Sequence, residues 1–283
     1  MSFAQRDLKF TFSGAPTGSF SASGLRAAAS ILATEGDLGV TAQVKIWGLS
    51  MGQMNRYSTV NPSAIPDELP DANLIIEAGN LGGGLSKAID GPIWQSYIDL
   101  GDAPDSAFVV SMASIADAAT TVGPQSQPGD QKAEDLIASL CAAAGFTFSN
   151  SSTSRASCVL RNQSTYGSAL YQISKIATAA GFRWTRDGSA ISIWAADGTI
   201  DDVVIDVGPN TDPKMVGYPR YYEAGIIVTS LYNPQIQIGR MMNVTSSIPK
   251  ANGIWQIIEV QHDLTTMIAK GPWFTTAKLA GAA

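Results

Sequence analysis

A period of two governs the apolar residues at the start of the chain. Leu8, Phe10 and Phe12 fall on one side of an extended segment and Lys9 and Thr11 on the other, the mark of a half-buried strand. Gly24–Leu32 repeats the pattern with Leu25, Ala27, Ala29 and Ile31, and Val40, Ala42, Val44 and Ile46 repeat it before Trp47-Gly48. Gly14, Gly18 and Gly36-Asp37 punctuate these runs. Short strands with turns between them bury an apolar face against another sheet or by closing on themselves, so a sandwich or barrel is expected. Ser50 reads as the N-cap of a short helix carrying Met51, Met54 and Asn55. The stretch 61–72, NPSAIPDELPDA, holds Pro62, Pro66 and Pro70 and is expected to be a loop. Leu74–Ala78 follows as a strand, Gly82-Gly83-Gly84 as a turn, and 88–100 as a pair of strands holding Ile89, Ile93 and Trp94. A first β domain is expected to close near residue 104.

Beyond it the period changes. Phe108-Val109-Val110 is a short strand and 120–130 a loop. Ala133–Ala144 then places Leu136, Ile137, Leu140 and Cys141 along one stripe of a helix that stops at Gly145. The same design returns in Ala169–Ala180, with Leu170, Ile173, Ile176 and Ala177 on one face and Gly181 at the end. Each helix leads into an aromatic strand, Phe146-Thr147-Phe148 and Phe182-Arg183-Trp184, and Asp187-Gly188 predicts a hairpin turn. After that the pattern is β again, in Ile226–Leu231, Ile236–Ile238, Met242–Thr245 and Ile254–Val260, closing on Gly271–Thr275. Gly91-Pro92-Ile93-Trp94-Gln95 and Gly253-Ile254-Trp255-Gln256 share Ile-Trp-Gln, which suggests that the two β regions are built alike. The expected fold is α+β, mainly β. Two similar β-barrel domains, 1–104 and 200–283, flank a small α+β domain, 105–199, with helices packed on a short sheet.

Composition narrows the chemistry. Charged residues make up 15% of the chain, against about 25% in an average soluble domain, which suits a subunit that covers much of its surface with neighbours. Lys and Arg number 18 against 24 Asp and Glu, a net charge of −6, without the basic cluster that phosphate binding needs. Sequence-specific nucleic-acid binding is therefore not expected, although an acidic wall would let DNA slide past. The N-terminal MSFAQRDLKFTF lacks a basic segment followed by an apolar one, so no secretory signal is expected. No apolar run approaches the ~20 residues of a membrane helix. Cys141 and Cys158 stand outside any CxxC pair, and with one histidine they fall short of a zinc site. They read as reduced thiols, a disulfide being the alternative.

Catalytic patterns are missing too. His262-Asp263 has no GxSxG elbow to serve, and His262 reads as a structural or interface residue. The acid pairs Asp67/Glu68, Glu134/Asp135 and Asp201/Asp202 sit in polar contexts, and Glu134/Asp135 suits the positive end of a helix dipole. Asn80–Lys87 lacks the order of a phosphate loop. Trp47, Trp94, Trp184, Trp194, Trp255 and Trp273 fall in strands and read as core or contact residues. Catalytic, cofactor and metal residues are all expected to be absent.

Three segments carry a resemblance. Val44-Lys45-Ile46-Trp47-Gly48-Leu49-Ser50, with Met54-Asn55 and Thr59, resembles a strand-to-helix step of the tail baseplate hub proteins of contractile-tailed bacteriophages. Leu231 to Arg240 with Val244-Thr245-Ser246 resembles the Asn-Pro…Gly strand pair of that family. Gly253-Ile254-Trp255 through His262-Asp263-Leu264, with Trp273-Phe274-Thr275, resembles its C-terminal strand, His-containing turn and closing strand. The resemblance implies a homotrimer with two similar barrels per chain, whose six barrels adapt a threefold central spike to a sixfold tail tube. It implies as partners the spike, a tail tube or tube-initiator protein and a tape-measure protein. It implies assembly in the host cytoplasm and residence in the baseplate of the virion tail. Its site residues would be contacts: Trp47, Asn55, Trp94, Asn233, Pro234, Trp255, His262 and Trp273. The rival readings are a tail tube or distal tail ring protein, a carbohydrate-binding adhesin, and a hydrolase using Asp201 or Glu134.

Overall fold

The computed structural model describes residues 5–15, 18–37, 39–59, 71–81, 84–101, 106–113 and 121–281. The chain opens with β1 (Arg6–Ala15), β2 (Phe20–Ala22), β3 (Ala27–Thr34), β4 (Val40–Trp47), α1 (Met51–Tyr57), β5 (Asp71–Asn80), β6 (Leu85–Asp99) and β7 (Ala107–Met112). Then come β8 (Gln125–Lys132), α2 (Ala133–Ala144), β9 (Thr147–Asn150), β10 (Val159–Thr165), α3 (Ala169–Ala180), β11 (Phe182–Asp187) and β12 (Ala190–Ala195). The last strands are β13 (Val204–Val207), β14 (Arg220–Tyr222), β15 (Gly225–Leu231), β16 (Met241–Val244), β17 (Gly253–Thr266) and β18 (Trp273–Gly281). Two compact units result, one of Met1–Leu32, Val40–Ser114 and Gln261–Thr275, the other of Ala33–Gly39, Ile115–Val260 and Thr276–Ala283. They cut across the consecutive stretches 1–104, 105–199 and 200–283, and β3, β17 and β18 give residues to both.

The first unit orders its strands β18-β17-β3-β4-β7-β6-β5-β1-β2. The alternation in β1 works as the sequence suggests: Leu8, Phe10 and Phe12 are buried opposite Ala78, Ile76 and Leu74 of β5. Phe12 stacks on Phe20 at 4.7 Å and leans on Tyr57 at 5.1 Å and Phe108 at 6.1 Å, which fastens α1 to the sheet. Ser50 caps α1 in a reciprocal pair with Gln53. At the other end of the helix the buried Ser96 hydroxyl donates to the Tyr57 carbonyl, and Thr59 N donates to Ser96 O at 2.8 Å. The pair of strands expected over 88–100 is instead one strand, β6. Its first part pairs with β5 as far as Pro92, and from Ile93 it pairs with β7. Proline lacks the N–H of a ladder rung, so Pro92 suits the place where the strand changes partner. Beyond the boundary expected near 104, β7 lies between β4 and β6 in this unit.

The second unit has a helical part and a β part. In the first, β11-β12-β9 form a sheet with β9 parallel to β12. Ile137, Leu140 and Cys141 of α2 and Leu170, Ile173, Ile176 and Ala177 of α3 bury against Trp184, Ile191 and Ile193. Both helices have the expected bounds, and Gly145 (φ 78°) and Gly181 (φ 69°) end them in the left-handed conformation. The hairpin turn falls on Gly188-Ser189, since Asp187 still pairs with Ala190. Within the loop expected over 120–130, residues from Gln125 onward form β8, an edge of a two-stranded ribbon with β10.

The β part runs β14-β15-β18-β17-β16-β13. Its circuit is closed by two bridges: Lys214 pairs with Gly208 just past β13, and Met215 pairs with Ser230 of β15. Inside lie Ile205, Val207, Met215, Ile226, Val228, Met242, Val244, Ile257, Val260 and Leu279, with Trp194 from β12. Ile236–Ile238, expected as a strand, is turn backbone whose isoleucines are buried at 1% and 5% exposure. Gly239 follows at φ +81°, where a Cβ would stand 3.0 Å from the Trp194 ring. Positive φ and that ring both demand glycine here.

Candidate assembly interface

The expected contact residues separate on inspection. In the first unit, Asn55 is exposed on α1, and Trp47 and Trp94 are half-buried on β4 and β6. Trp47 lies under the Arg26 guanidinium at 4.5 Å, with Lys45 Nζ at 5.2 Å, and its Nε1 is buried with no hydrogen-bond partner among the described residues. His262 and Trp273, expected at a contact surface, turn inward. His262 sits within β17 rather than at a turn, 8% exposed, with Nδ1 2.8 Å from Thr275 Oγ1. Burial pushes its pKa down to about 4, outweighing the nearby Asp263 carboxylate, so the ring is neutral at pH 7. Trp273 is 6% exposed and packs under Arg6 at 5.4 Å.

In the second unit, Asn233, Pro234 and Trp255 are half-buried. Asn233 Oδ1 accepts from Gln235 N at 2.8 Å, shaping the turn after β15, and the Pro234 carbonyl accepts from Gln237 Nε2 at 3.1 Å. Trp255 Nε1 donates to Ala251 O at 3.0 Å.

One acid in each of two pairs holds the fold together. Arg240 Nε donates to Asp201 Oδ2 at 2.8 Å and Oδ1 at 3.1 Å, and Arg240 Nη2 lies 2.7 Å from Oδ2. Glu134 is buried at the start of α2, accepting from Ser157 Oγ at 2.8 Å and Cys158 N at 3.3 Å. Burial alone would raise its pKa; the hydrogen bonds from its own backbone, Ser157 and Cys158 win and lower it. Asp67 and Glu68 lie outside the described residues, as do Gly82 and Gly83 of the glycine-rich stretch. Cys141 is buried and its pKa is raised to about 11 by desolvation, so it is an unreactive thiol. Among the described residues, no group of three or more His, Cys, Asp or Glu side chains could hold a metal ion. No helix of the described residues is long and apolar enough to cross a membrane.

Two surface features were not singled out by sequence. The first is a groove of about 350 Å3 on the first unit, formed by outward residues of β17, β3, β4, β7 and β6, among them Asp263, Ser30, Lys45, Val109, Tyr97 and Asp99. Lys45 Nζ donates to Asp99 at 2.9 Å. The Gly101 N–H and then Lys45 hold the Asp99 carboxyl below its ordinary range. The second is the β14–β15 hairpin of the second unit, where Tyr218 is 70% and Tyr221 58% exposed beside Arg220. Strand parity marks the groove's side chains as outward but not Arg220 and Tyr221, which are consecutive on β14; no local signal brings Ser30 to Asp263, 233 residues away.

The fold is shared with two tail proteins and with a chain of a PdpA-VgrG complex. A 43 kDa tail protein of prophage MuSo2 from Shewanella oneidensis is similar at TM-score 0.62 and 11% identity, over 97% of each chain. A tail protein of Neisseria meningitidis MC58 is similar at TM-score 0.64 and 8% identity, over 98% of this chain and 96% of that one. A chain of the Francisella PdpA-VgrG complex matches at TM-score 0.53 and 7% identity, over 98% of this chain and 58% of that one. No curated protein matches the chain by sequence. The class is therefore a tail protein fold. Within it the family is shown by sequence: the model described as baseplate hub gp41 matches residues 27–277, and the chain belongs to that family.

Proposed function

We propose that the chain is a non-enzymatic ring subunit of a tail baseplate, a homotrimer with two barrel-like units per copy that adapts a threefold spike to a sixfold tube. The match to the baseplate hub family over residues 27–277 carries this reading. The division into two units supports it, since three copies of a doubled unit offer six positions around one axis. The closed circuit through Lys214 and Met215 supports a barrel in the second unit. A heterologous contact repeated about a closing axis gives a ring rather than a filament.

The work is mechanical. The ring would hold the spike on one side and tube, tube-initiator and tape-measure proteins on the other, within the virion tail after assembly in the host cytoplasm. The fold shared with a chain of the PdpA-VgrG complex supports a hub that carries a partner protein. The test is the mass of the purified full chain in solution by sedimentation equilibrium. Three times the mass of 29.7 kDa supports the reading. A monomer or a hexamer sinks it. Asp201→Ala and Glu134→Ala are expected to remove no lytic activity; loss of such an activity in either variant would favour a hydrolase instead.

A further inference from the structure

Residues Ala33–Gly39, the tip between β3 and β4, belong to the second unit together with β11. β11 ends the order β11-β12-β9, and the tip lies along its outer edge. Gly36 N donates to Trp184 O at 3.0 Å, and Thr34 N donates to Gly39 O at 3.0 Å across the turn. Gly39 stands at φ +58°, where a Cβ would be 2.9 Å from the Arg186 carbonyl oxygen. Glycine is what permits so close a seat.

One side chain in this seat is poorly served. Glu35 Oε1 is buried and has no hydrogen-bond partner among the described residues. Arg183 Nη1 is 3.7 Å away, and the bond it donates goes to Gln256 Oε1 instead. Gln256 is fixed in turn, donating from Nε2 to Gly198 O at 2.8 Å. Arg183 therefore offers Glu35 a charge at a distance and no bond. A buried carboxylate without donors costs more free energy than its protonated form. Burial accordingly raises the Glu35 pKa, and Arg183 offsets this only in part. The other charged groups nearby are engaged or face water. Arg186, also on β11, is buried, with Nε donating to Gly188 O at 2.8 Å and the guanidinium 5.3 Å from the Phe146 ring. Glu259 of β17 pairs with Lys278 at 2.9 Å. Asp37 on the tip, Asp187 on β11 and Asp197 before Gly198 are exposed.

We propose that the tip is a strap on the β11 edge, seated while Glu35 is protonated and loosened when it ionises. A carboxyl raised in pKa by its seat binds more protons there than in the open state, so seating is strongest below the ordinary glutamate range. It weakens as pH rises through the raised value. Loosening uncovers the Trp184 carbonyl on an end strand, the kind of edge to which another strand can add. The inference is independent of the ring reading.

The test is residue-level amide exchange of the full chain at pH 5 and 7, corrected for the intrinsic rate, with the Glu35 carboxyl titrated by NMR in the same samples. The Gly36 amide is expected to exchange several times faster at pH 7 than at pH 5, in step with the Glu35 titration. His262 on β17 acts in the opposite direction, so a general loss of structure cannot imitate the effect. Glu35→Gln is expected to slow Gly36 exchange at pH 7 and to abolish its pH dependence. Asp37→Asn, on the exposed neighbour, is expected to leave both as in the wild type. A Glu35 carboxyl that titrates within or below the ordinary range overturns the strap without recourse to any variant. Gly36 exchange that is equal at the two pH values overturns it too, as does a Glu35→Gln chain that keeps the wild-type dependence.

Discussion

The helical part and the β part of the second unit are specified in different ways. In the helical part each decision is local. Ser168 caps α3 by accepting from Tyr171 N, Gly145 and Gly181 stop the helices, and one apolar stripe per helix faces one short sheet. In the β part the decisive contacts join distant residues. Val204 meets Met241, 37 residues on, and Met215 meets Ser230 before the circuit has an inside. The lesson is that the helical part can be read, and broken, one residue at a time, whereas the β part fails as a whole.

Trp194 puts that contrast under the greatest load. It lies on β12 of the helical part, yet its fully buried side chain fills the core of the β part. Trp194→Ala should cost about 3–5 kcal/mol. Hydrogen exchange should accelerate over 204–244 more than over α2 and α3. Equal loss in both regions would mean that the two parts share one cooperative core.

Acid gives a second, smaller handle, and it compares the units. His262 of the first unit has a folded pKa near 4 against an ordinary 6.5. Its stabilising contribution is therefore complete above pH 6.5 and is lost as pH falls toward 4, by roughly 3 kcal/mol in all. The helical part has no histidine. Its Glu134 is shifted downward, so its contribution is complete above the ordinary glutamate range and is lost only below it. Between pH 6.5 and 5, exchange corrected for the pH dependence of the intrinsic rate should thus quicken around β17 and stay unchanged in the helices. Uniform quickening would contradict this assignment.

The smallest expected effect is at a helix cap. Ser168→Ala should cost about 1 kcal/mol, read as a shift in the urea midpoint, with exchange quickening confined to the first turn of α3. An effect spreading to β13–β16 would erase the distinction between the two parts.

The same distinction explains what could be read from sequence. The helices were legible to the residue because stripe, cap and stop lie within one window. Leu8, Phe10 and Phe12 were legible because alternation shows its inward face directly. Ile236 and Ile238 share that alternation and are buried, but Asn233 and Gly239 bend their backbone away from any ladder, so burial alone misled. The ribbon strand β8 was missed because QSQPGDQK has no apolar side to bury. The Ile-Trp-Gln echo is out of phase: Ile93 is 3% exposed and Ile254 56%. The tripeptide therefore does not mark equivalent places in two barrels, and any likeness between the units rests on topology. Asp263 could be placed on an outward face from its parity, but its meeting with Ser30 belongs to the tertiary fold.

The most direct trial of the whole account is an image of the purified particle averaged without imposed symmetry. Three chains should appear around one axis as six lobes in a closed ring. A particle lacking a threefold axis, or a threefold particle with only three lobes, would contradict the claim that a doubled unit lets three copies present six faces.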